Sequence, residues 1–147
     1  MAAAKRSTLK ISTIDVWAAR LNDAPGSLAA KLEALARAGI NLESLIARRT
    51  PETPGSGVVY TTPIEGARQA KAARAAGFEK TTALRSVRVE GRNRAGLGAK
   101  VTTALASAGL NLRGVSGAAL GQNAVLYIAL DNKSDADRAV KILKALK

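Results

Sequence analysis

Two short stretches of this chain carry side chains able to hold a small zwitterion. Asn22-Asp23-Ala24-Pro25-Gly26-Ser27-Leu28 places an amide and a carboxylate just ahead of a proline–glycine turn. Asn93-Arg94-Ala95-Gly96-Leu97 repeats the arrangement 70 positions later, with Asn93 for the acid and Ala95 for the proline. A strand that runs into a glycine turn at a helix N-terminus leaves backbone N–H groups free and aims the helix dipole at them, which suits a carboxylate. Gly26 and Gly96 let a ligand approach the backbone with no side chain in the way. Asn22, Asp23 and Asn41 offer acceptors for an α-ammonium group, and Asp23 makes that bond charge-assisted. Asn41-Leu42 and Asn111-Leu112 follow the two helices and complete the candidate ligand-binding set. The local alternative is that Asp23 only caps a helix and Gly26 only forms the turn.

Other chemistry has little to work with. The chain of 147 residues has no cysteine and no histidine, which removes thiol chemistry, an imidazole base and the usual zinc ligands. Its acids are few and scattered, no nucleophile stands beside a base, and the glycines of Gly114–Gly121 do not match a phosphate loop. The expectation is a protein without catalysis and without a cofactor.

The elements that must position these groups come in two copies. Gly26 matches Gly96, Leu35 matches Leu105, and Ala38-Gly39-Ile40-Asn41-Leu42 matches Ala108-Gly109-Leu110-Asn111-Leu112, all at an offset of 70. A turn, a helix and a helix stop repeated at constant spacing mean one unit used twice. Each half has about 70 residues, a marginal size for an independent core, so the halves should pack on each other or on another chain.

Within each copy the periodicity names the elements. Asp15–Leu21 and Ser86–Arg92 read as strands, with Val87, Val89 and Gly91 on one face and Arg88, Glu90 and Arg92 on the other. By the offset, Trp17, Ala19 and Leu21 face inward, and Ala18 and Arg20 outward. Leu28, Leu32 and Leu35, and then Leu97, Val101, Leu105 and Ala108, form helical stripes. Asp23 and Asn93 stand where caps are expected, and Gly39 and Gly109 where the helices stop. Leu42–Arg49 and Leu112–Leu120 read as second strands; Val58–Thr62 and Ala124–Leu130 as third strands, the last central in its sheet because it is apolar on both faces. Residues 50–57 form a hairpin loop. Second helices follow at 63–76, capped by Thr62-Pro63-Ile64-Glu65, and at 134–146, capped by Ser134-Asp135-Ala136-Asp137. Phe78–Ala83 reads as a fourth strand of the first copy, whereas the second copy ends with its helix. Thr8–Ile14 alternates as a half-buried edge strand and is the candidate for the open slot, in its own chain or in a partner chain. The order strand, helix, strand, strand, helix, strand is the split βαβ, ferredoxin-like unit, an α+β fold. The expected organisation is an arm or edge strand at 1–14, a first unit at 15–84 and a second at 85–147.

The pattern Asp-x-Pro-Gly-x-Leu, an amphipathic helix, then Ala-Gly-Ile-Asn, standing here as Asp23–Leu28 and Ala38–Asn41, resembles the ACT domain family. The resemblance spans nearly the whole chain as two copies. It implies a ferredoxin-like regulatory module that binds an amino acid at the glycine turns, with units pairing by sheet edges and ligand between them. It also implies a homodimer and an enzyme or other protein as the regulated partner. The second copy departs from the pattern at Asn93, at Ala95 and in its missing final strand. Two or three charge-assisted hydrogen bonds and one buried side chain, set against the freedom lost on binding, predict an affinity of about micromolar to millimolar.

Two further readings share the fold. A ligand-free dimerisation or protein-interaction module is one. An RNA-binding module is the other, since Trp17 and Tyr60 fall on the first and third strands where bases would stack. Against it, Trp17 points inward, Val87 takes its place in the second copy, and the aromatic RNA-binding motif is absent. The net charge of +12, spread along both halves, favours anionic partners in general, carboxylate ligands and nucleic acid among them, or is simply a solvated surface. Binding to nucleic acid is expected to be sequence-independent and not specific. No run of 18 apolar residues and no signal peptide is present, so the chain reads as cytoplasmic with no membrane partner.

Overall fold

A computed structural model describes residues 9–82 and 85–146. Its elements are β1 (Lys10–Ile14), β2 (Trp17–Asn22), α1 (Ser27–Arg37), β3 (Ser44–Arg49), β4 (Ser56–Thr62), α2 (Gly66–Ala75), β5 (Glu79–Lys80), β6 (Arg85–Arg92), α3 (Leu97–Ser107), β7 (Gly114–Leu120), β8 (Asn123–Leu130) and α4 (Lys133–Lys144). They form two four-stranded antiparallel sheets, in the orders β3-β4-β2-β5 and β1-β6-β8-β7. Two α+β units result. One is contiguous, residues 15–82; the other combines β1 with the residues from 85 onward.

β1 therefore fills the slot beside β6 in its own chain, with Lys10 opposite Glu90 and Ile14 opposite Ser86. Its apolar residues turn to the core: Leu9 and Ile11 pack on the cluster of Val87, Val89, Val101, Leu105, Ile128, Leu130 and Leu143. In the contiguous unit the fourth strand shrinks to Glu79 and Lys80, opposite Ala18 and Trp17, shorter than the Phe78–Ala83 expected. Phe78 is wholly buried in the core, and Ala83 lies outside the described residues, as do 1–8, 84 and 147 of the expected domain ranges.

The alternation read from sequence holds. Trp17 and Ala19 are 4% exposed and Val87 and Val89 are fully buried, while Arg20 and Arg92 are exposed. Arg74 lies over the Trp17 ring, 5.2 Å from its centroid. β8 pairs on both sides, with β6 and with β7, as its doubly apolar sequence requires.

Helix ends show the same device twice. The Ile40 N–H donates to the Leu35 carbonyl at 3.1 Å and the Gly39 N–H to Ala36 at 2.9 Å; Leu110 to Leu105 and Gly109 to Ala106 repeat both distances. Gly39 and Gly109 take φ of 73° and 76°, a left-handed residue that lets the last carbonyls be satisfied. Arg68 and Arg138, also 70 apart, donate from the following helix to the carbonyls of Ala38 and Ala108, 3.3 and 2.7 Å away. A cation there complements the negative helix end.

Helix starts depart from expectation. Asp23 and Asn93 are not caps: the residues preceding α1 and α3 are Gly26 and Gly96, and neither helix has a side-chain cap. Two residues of turn separate each polar residue from the cap position, and neither side chain bonds to the first amides. Thr62 is the last residue of β4, opposite Ser44, and its hydroxyl donates to the Asp15 carbonyl at 2.9 Å. α2 consequently starts at Gly66 behind Glu65. For α4 the cap is Asn132, two residues before Ser134, whose Oδ1 accepts the Asp135 N–H at 2.8 Å.

Candidate functional site

Each glycine turn is built between the end of an inner strand and the start of a helix, and is tied to the neighbouring hairpin tip. The Asp23 N–H donates to the Gly55 carbonyl at 3.0 Å, and the Asn93 N–H to the Gln122 carbonyl at 2.8 Å. Gly26 and Gly96 adopt φ of 87° and 88°, and a Cβ on either would meet no heavy atom within 4 Å. Glycine is thus required by conformation, while the space beside it is open to a ligand.

The helix N-termini are equally alike. The Ser27 and Leu97 amides donate back to Ala24 and Arg94 at 3.3 and 3.2 Å, and the first in-helix bonds run from Ala30 to Gly26 and from Lys100 to Gly96. The amides of Leu28, Ala29, Gly98 and Ala99 have no backbone acceptor among the described residues. Neither first turn holds an acid. Two convergent N–H groups at the positive end of a helix dipole can receive one carboxylate.

The polar side chains at the two turns differ. Asp23, its side chain 35% exposed, accepts from Arg49 Nε at 2.8 Å. Arg49 sits at the end of β3 opposite Gly57, with β4 between it and the strand that leads into the turn. In the other unit the residues at these places are Asn93 and Ala119, the latter on β7 opposite Ala124 of β8. Acid and base are both absent there, so the second turn carries no fixed charge pair. Arg49 was not read as a site residue; the sequence puts it 26 positions from Asp23, and only the β2–β4–β3 register brings them together.

Of the remaining candidates, Asn22, Ala24, Pro25 and Ser27 lie in the first turn, and Arg94 and Ala95 in the second, all exposed except the half-buried Ser27. Leu28 and Leu42, and likewise Leu97 and Leu112, pack against the cores of their units, a structural role. Asn41 and Asn111 are exposed but follow the C-terminal ends of α1 and α3. An 11-residue helix is about 16 Å long. Each asparagine is therefore at the far end of the helix from its unit's glycine turn, and the structure does not gather Asn41 with Asp23 inside one unit.

With this geometry in place the comparisons carry weight. Residues 85–147 match the family model of the ACT domain. The match falls on the half whose turn has lost the acid and proline. No curated protein matches the chain. Among solved structures, a protein from Bacteroides thetaiotaomicron superposes with a TM-score of 0.74 at 20% identity, covering 89% of this chain and 88% of that one. The ligand-free regulatory subunit of aspartate kinase from Thermus thermophilus gives 0.63 at 17% identity, covering 94% and 95%. Part of Escherichia coli aspartokinase III, solved in complex with aspartate and ADP, gives 0.57 at 17% identity, covering 98% of this chain and 35% of that one. Residues 85–147 thus match an ACT domain, and the α+β fold of the chain is shared with these structures.

Proposed function

We propose that the chain is a non-catalytic regulatory protein made of two ACT-like units in tandem, and that it binds an amino acid at the glycine turns. The observation that carries this reading is the pair of left-handed glycines, Gly26 and Gly96, each with open space beside it and two unbonded helix amides behind it. The amides receive the α-carboxylate. At the first turn Asp23 receives the α-ammonium group, and its present partner Arg49 is displaced toward solvent or onto a ligand carboxylate. Asn93 offers a neutral acceptor at the second turn and binds more weakly. The ACT domain at 85–147 and the aspartate kinase regulatory subunits among the similar folds support a regulatory role. Isothermal titration with each of the twenty amino acids at millimolar concentration tests it. A specific heat with one or a few of them is expected; no heat and no thermal shift with any would end the sensor reading.

An interaction role is favoured by a separate observation. β7 is a free sheet edge with Leu120 88% and Val115 47% exposed, and residues 114–130 contain no charged side chain. A long uncharged edge strand is a template for pairing with another chain. We propose a homodimer through β7. Val115→Lys, on that edge, should shift the chain toward monomer in analytical ultracentrifugation without lowering its melting temperature.

A further inference from the structure

The sheet of the 15–82 unit has a second face, turned away from α1 and α2, and its composition asks for a partner. Register places Arg20, Val58 and Arg48 in one row across β2, β4 and β3, and Ala18, Tyr60 and Ile46 in the next. Arg20 and Arg48 are exposed, Ile46 is 37% exposed, and Val58 and Tyr60 are half-buried. The face is an apolar strip with a guanidinium on either side.

Neither arginine has an ion pair among the described residues. The unit's acids that pair have other partners: Asp23 has Arg49, Asp15 has Lys80, and Glu79, opposite Ala18 at the β5 edge of this face, has Arg74. The matching face of the other unit is resolved internally. There Glu90 stands where Arg20 would be, and it accepts from Arg88 Nη1 at 2.7 Å beside Tyr127. Ala118 and Ser116 replace Arg48 and Ile46. One face neutralises itself; the other leaves two cations for something else to meet.

We propose that the Arg20–Tyr60–Arg48 face docks an amphipathic helix of a partner protein, its apolar stripe flanked on both sides by carboxylates. Two strands' spacing separates the arginine backbones by about 10 Å, which matches the roughly 10–12 Å width of a helix with its side chains. Such a helix lays its stripe on Val58, Tyr60 and Ile46, the helix-on-surface mode of recognition, and aims one row of acids at each arginine. Charge complementarity then sets orientation and specificity. Aliphatic Val58 and Ile46 make the strip a poorer platform for bases, which stack on aromatic rings.

The test uses the full chain and fluorescence anisotropy at about 150 mM salt, where exposed charges are well screened. The probes are a helix-forming peptide of about 18 residues, five turns, with a leucine stripe flanked by glutamates, the same peptide with lysines for glutamates, and an oligouridine. The glutamate peptide should bind saturably and at least about tenfold more tightly than the lysine peptide. R20E combined with R48E should reverse that preference, and Y60A should weaken both peptides. If the double reversal fails to fold, as judged by Trp17 fluorescence, R20Q combined with R48Q should abolish the preference. Equal affinity for the two peptides, no saturable binding of the glutamate peptide, or a preference that survives the arginine changes would overturn the proposal. So would oligouridine binding that Y60A alone abolishes, which would make the face a base-stacking surface.

Discussion

The two units share a skeleton and differ in where they put charge. Gly26 and Gly96, Leu35 and Leu105, Gly39 and Gly109, and Arg68 and Arg138 occupy equivalent places and make equivalent contacts. Asp23 and Arg49 face Asn93 and Ala119; Arg20 and Arg48 face Glu90 and Ala118. Residues fixed by backbone conformation have stayed alike, because a change there costs the fold itself. The cores, by contrast, are filled differently, with Trp17 and Ala19 in one where Val87 and Val89 stand in the other. Polar residues at the turn and on the outer sheet face carry no such cost and have diverged in pairs. At the turn an acid and its base are absent together from the second unit. On the outer sheet face the first unit carries two arginines without an ion pair among the described residues, and the second carries the Arg88–Glu90 pair. The comparison teaches that the fold is held by the common set and that any difference in function is written in the other.

The largest expected break in the comparison comes from the fourth strand. Deleting residues 1–14 removes Leu9, Ile11 and the β1–β6 ladder from one unit and nothing from the other. Leu9 and Ile11 are half-buried, so each contributes less than the roughly 1.5–3 kcal/mol of full burial, yet with the lost ladder this is a large fraction of the stability of so small a unit. The unit from 85 onward should unfold or aggregate, with loss of about half the far-ultraviolet dichroism. Trp17 fluorescence, which reports only the contiguous unit, should stay native. A truncated chain with an unchanged melting profile would reduce β1 to a dispensable tail.

Core substitutions should then restore the symmetry. Leu35 is 1% and Leu105 0% exposed, each at the third residue from a helix end under an apolar partner, Ile40 or Leu110. Leu35→Ala and Leu105→Ala should each cost about 2–5 kcal/mol, and by similar amounts in chemical denaturation. A gap of more than about 2 kcal/mol between them would mean that the two cores are packed differently despite equivalent contacts.

Ligand binding should separate the units again. Asp23→Ala should weaken amino acid binding by at least about tenfold, the loss of a charge-assisted bond of roughly 1.5–3 kcal/mol, and Asn93→Ala by clearly less. Equal losses in calorimetry would make the turns equivalent sites and cancel the asymmetry. Because the Asp23–Arg49 pair is largely exposed, its own contribution to folding should stay within about 1 kcal/mol, so a folding defect should not mask the result.

The smallest effect expected is one of acidity. The hydrogen bond from Arg88 holds the Glu90 carboxyl below its ordinary range. The unfolded chain then binds the proton more readily than the folded one, so this contribution is present at neutral pH and is lost as pH falls through the lowered value. Glu90→Gln should lower the melting temperature slightly at pH 7, and the difference from the parent should vanish in strong acid. A difference that persists there would point to packing in place of charge.

Much of this was legible in the sequence because it rests on period and on glycine. The alternation of Val87 and Val89 against Arg88 and Glu90, the stripes of α1 and α3, and the stops at Gly39 and Gly109 depend on neighbours within a turn or two. The edge strand at Thr8–Ile14 was visible as an unassigned alternating segment for the empty slot, while the choice between its own chain and a partner chain stayed open until the β1–β6 register gave it. What was not legible depended on distant neighbours or on one residue of offset. Arg49 reaches Asp23 only through a hairpin tip. Asp23, Thr62 and Ser134 each looked like caps, but a turn, a strand end and Asn132 hold those roles. Asn41 and Asp23 are grouped as acceptors by type, and only the helix between them shows that they lie at opposite ends of α1 within their unit.

The strand borrowed from the start of the chain also sets an order of events. In the contiguous unit Trp17 meets Thr61, 44 positions away, whereas Lys10 must find Glu90 across 80. Closing a longer loop costs more chain entropy and slows the contact. During synthesis from the N-terminal side, the 15–82 unit has everything it needs just before Glu90 emerges and well before β8 and α4 do. β1 is synthesised first and seated last, and for that interval Leu9 and Ile11 have no sheet to join. The time spent in that state, and not the stability of the finished protein, is where aggregation competes with folding, and a kinetic experiment should find its slowest unimolecular phase in the docking of those few residues.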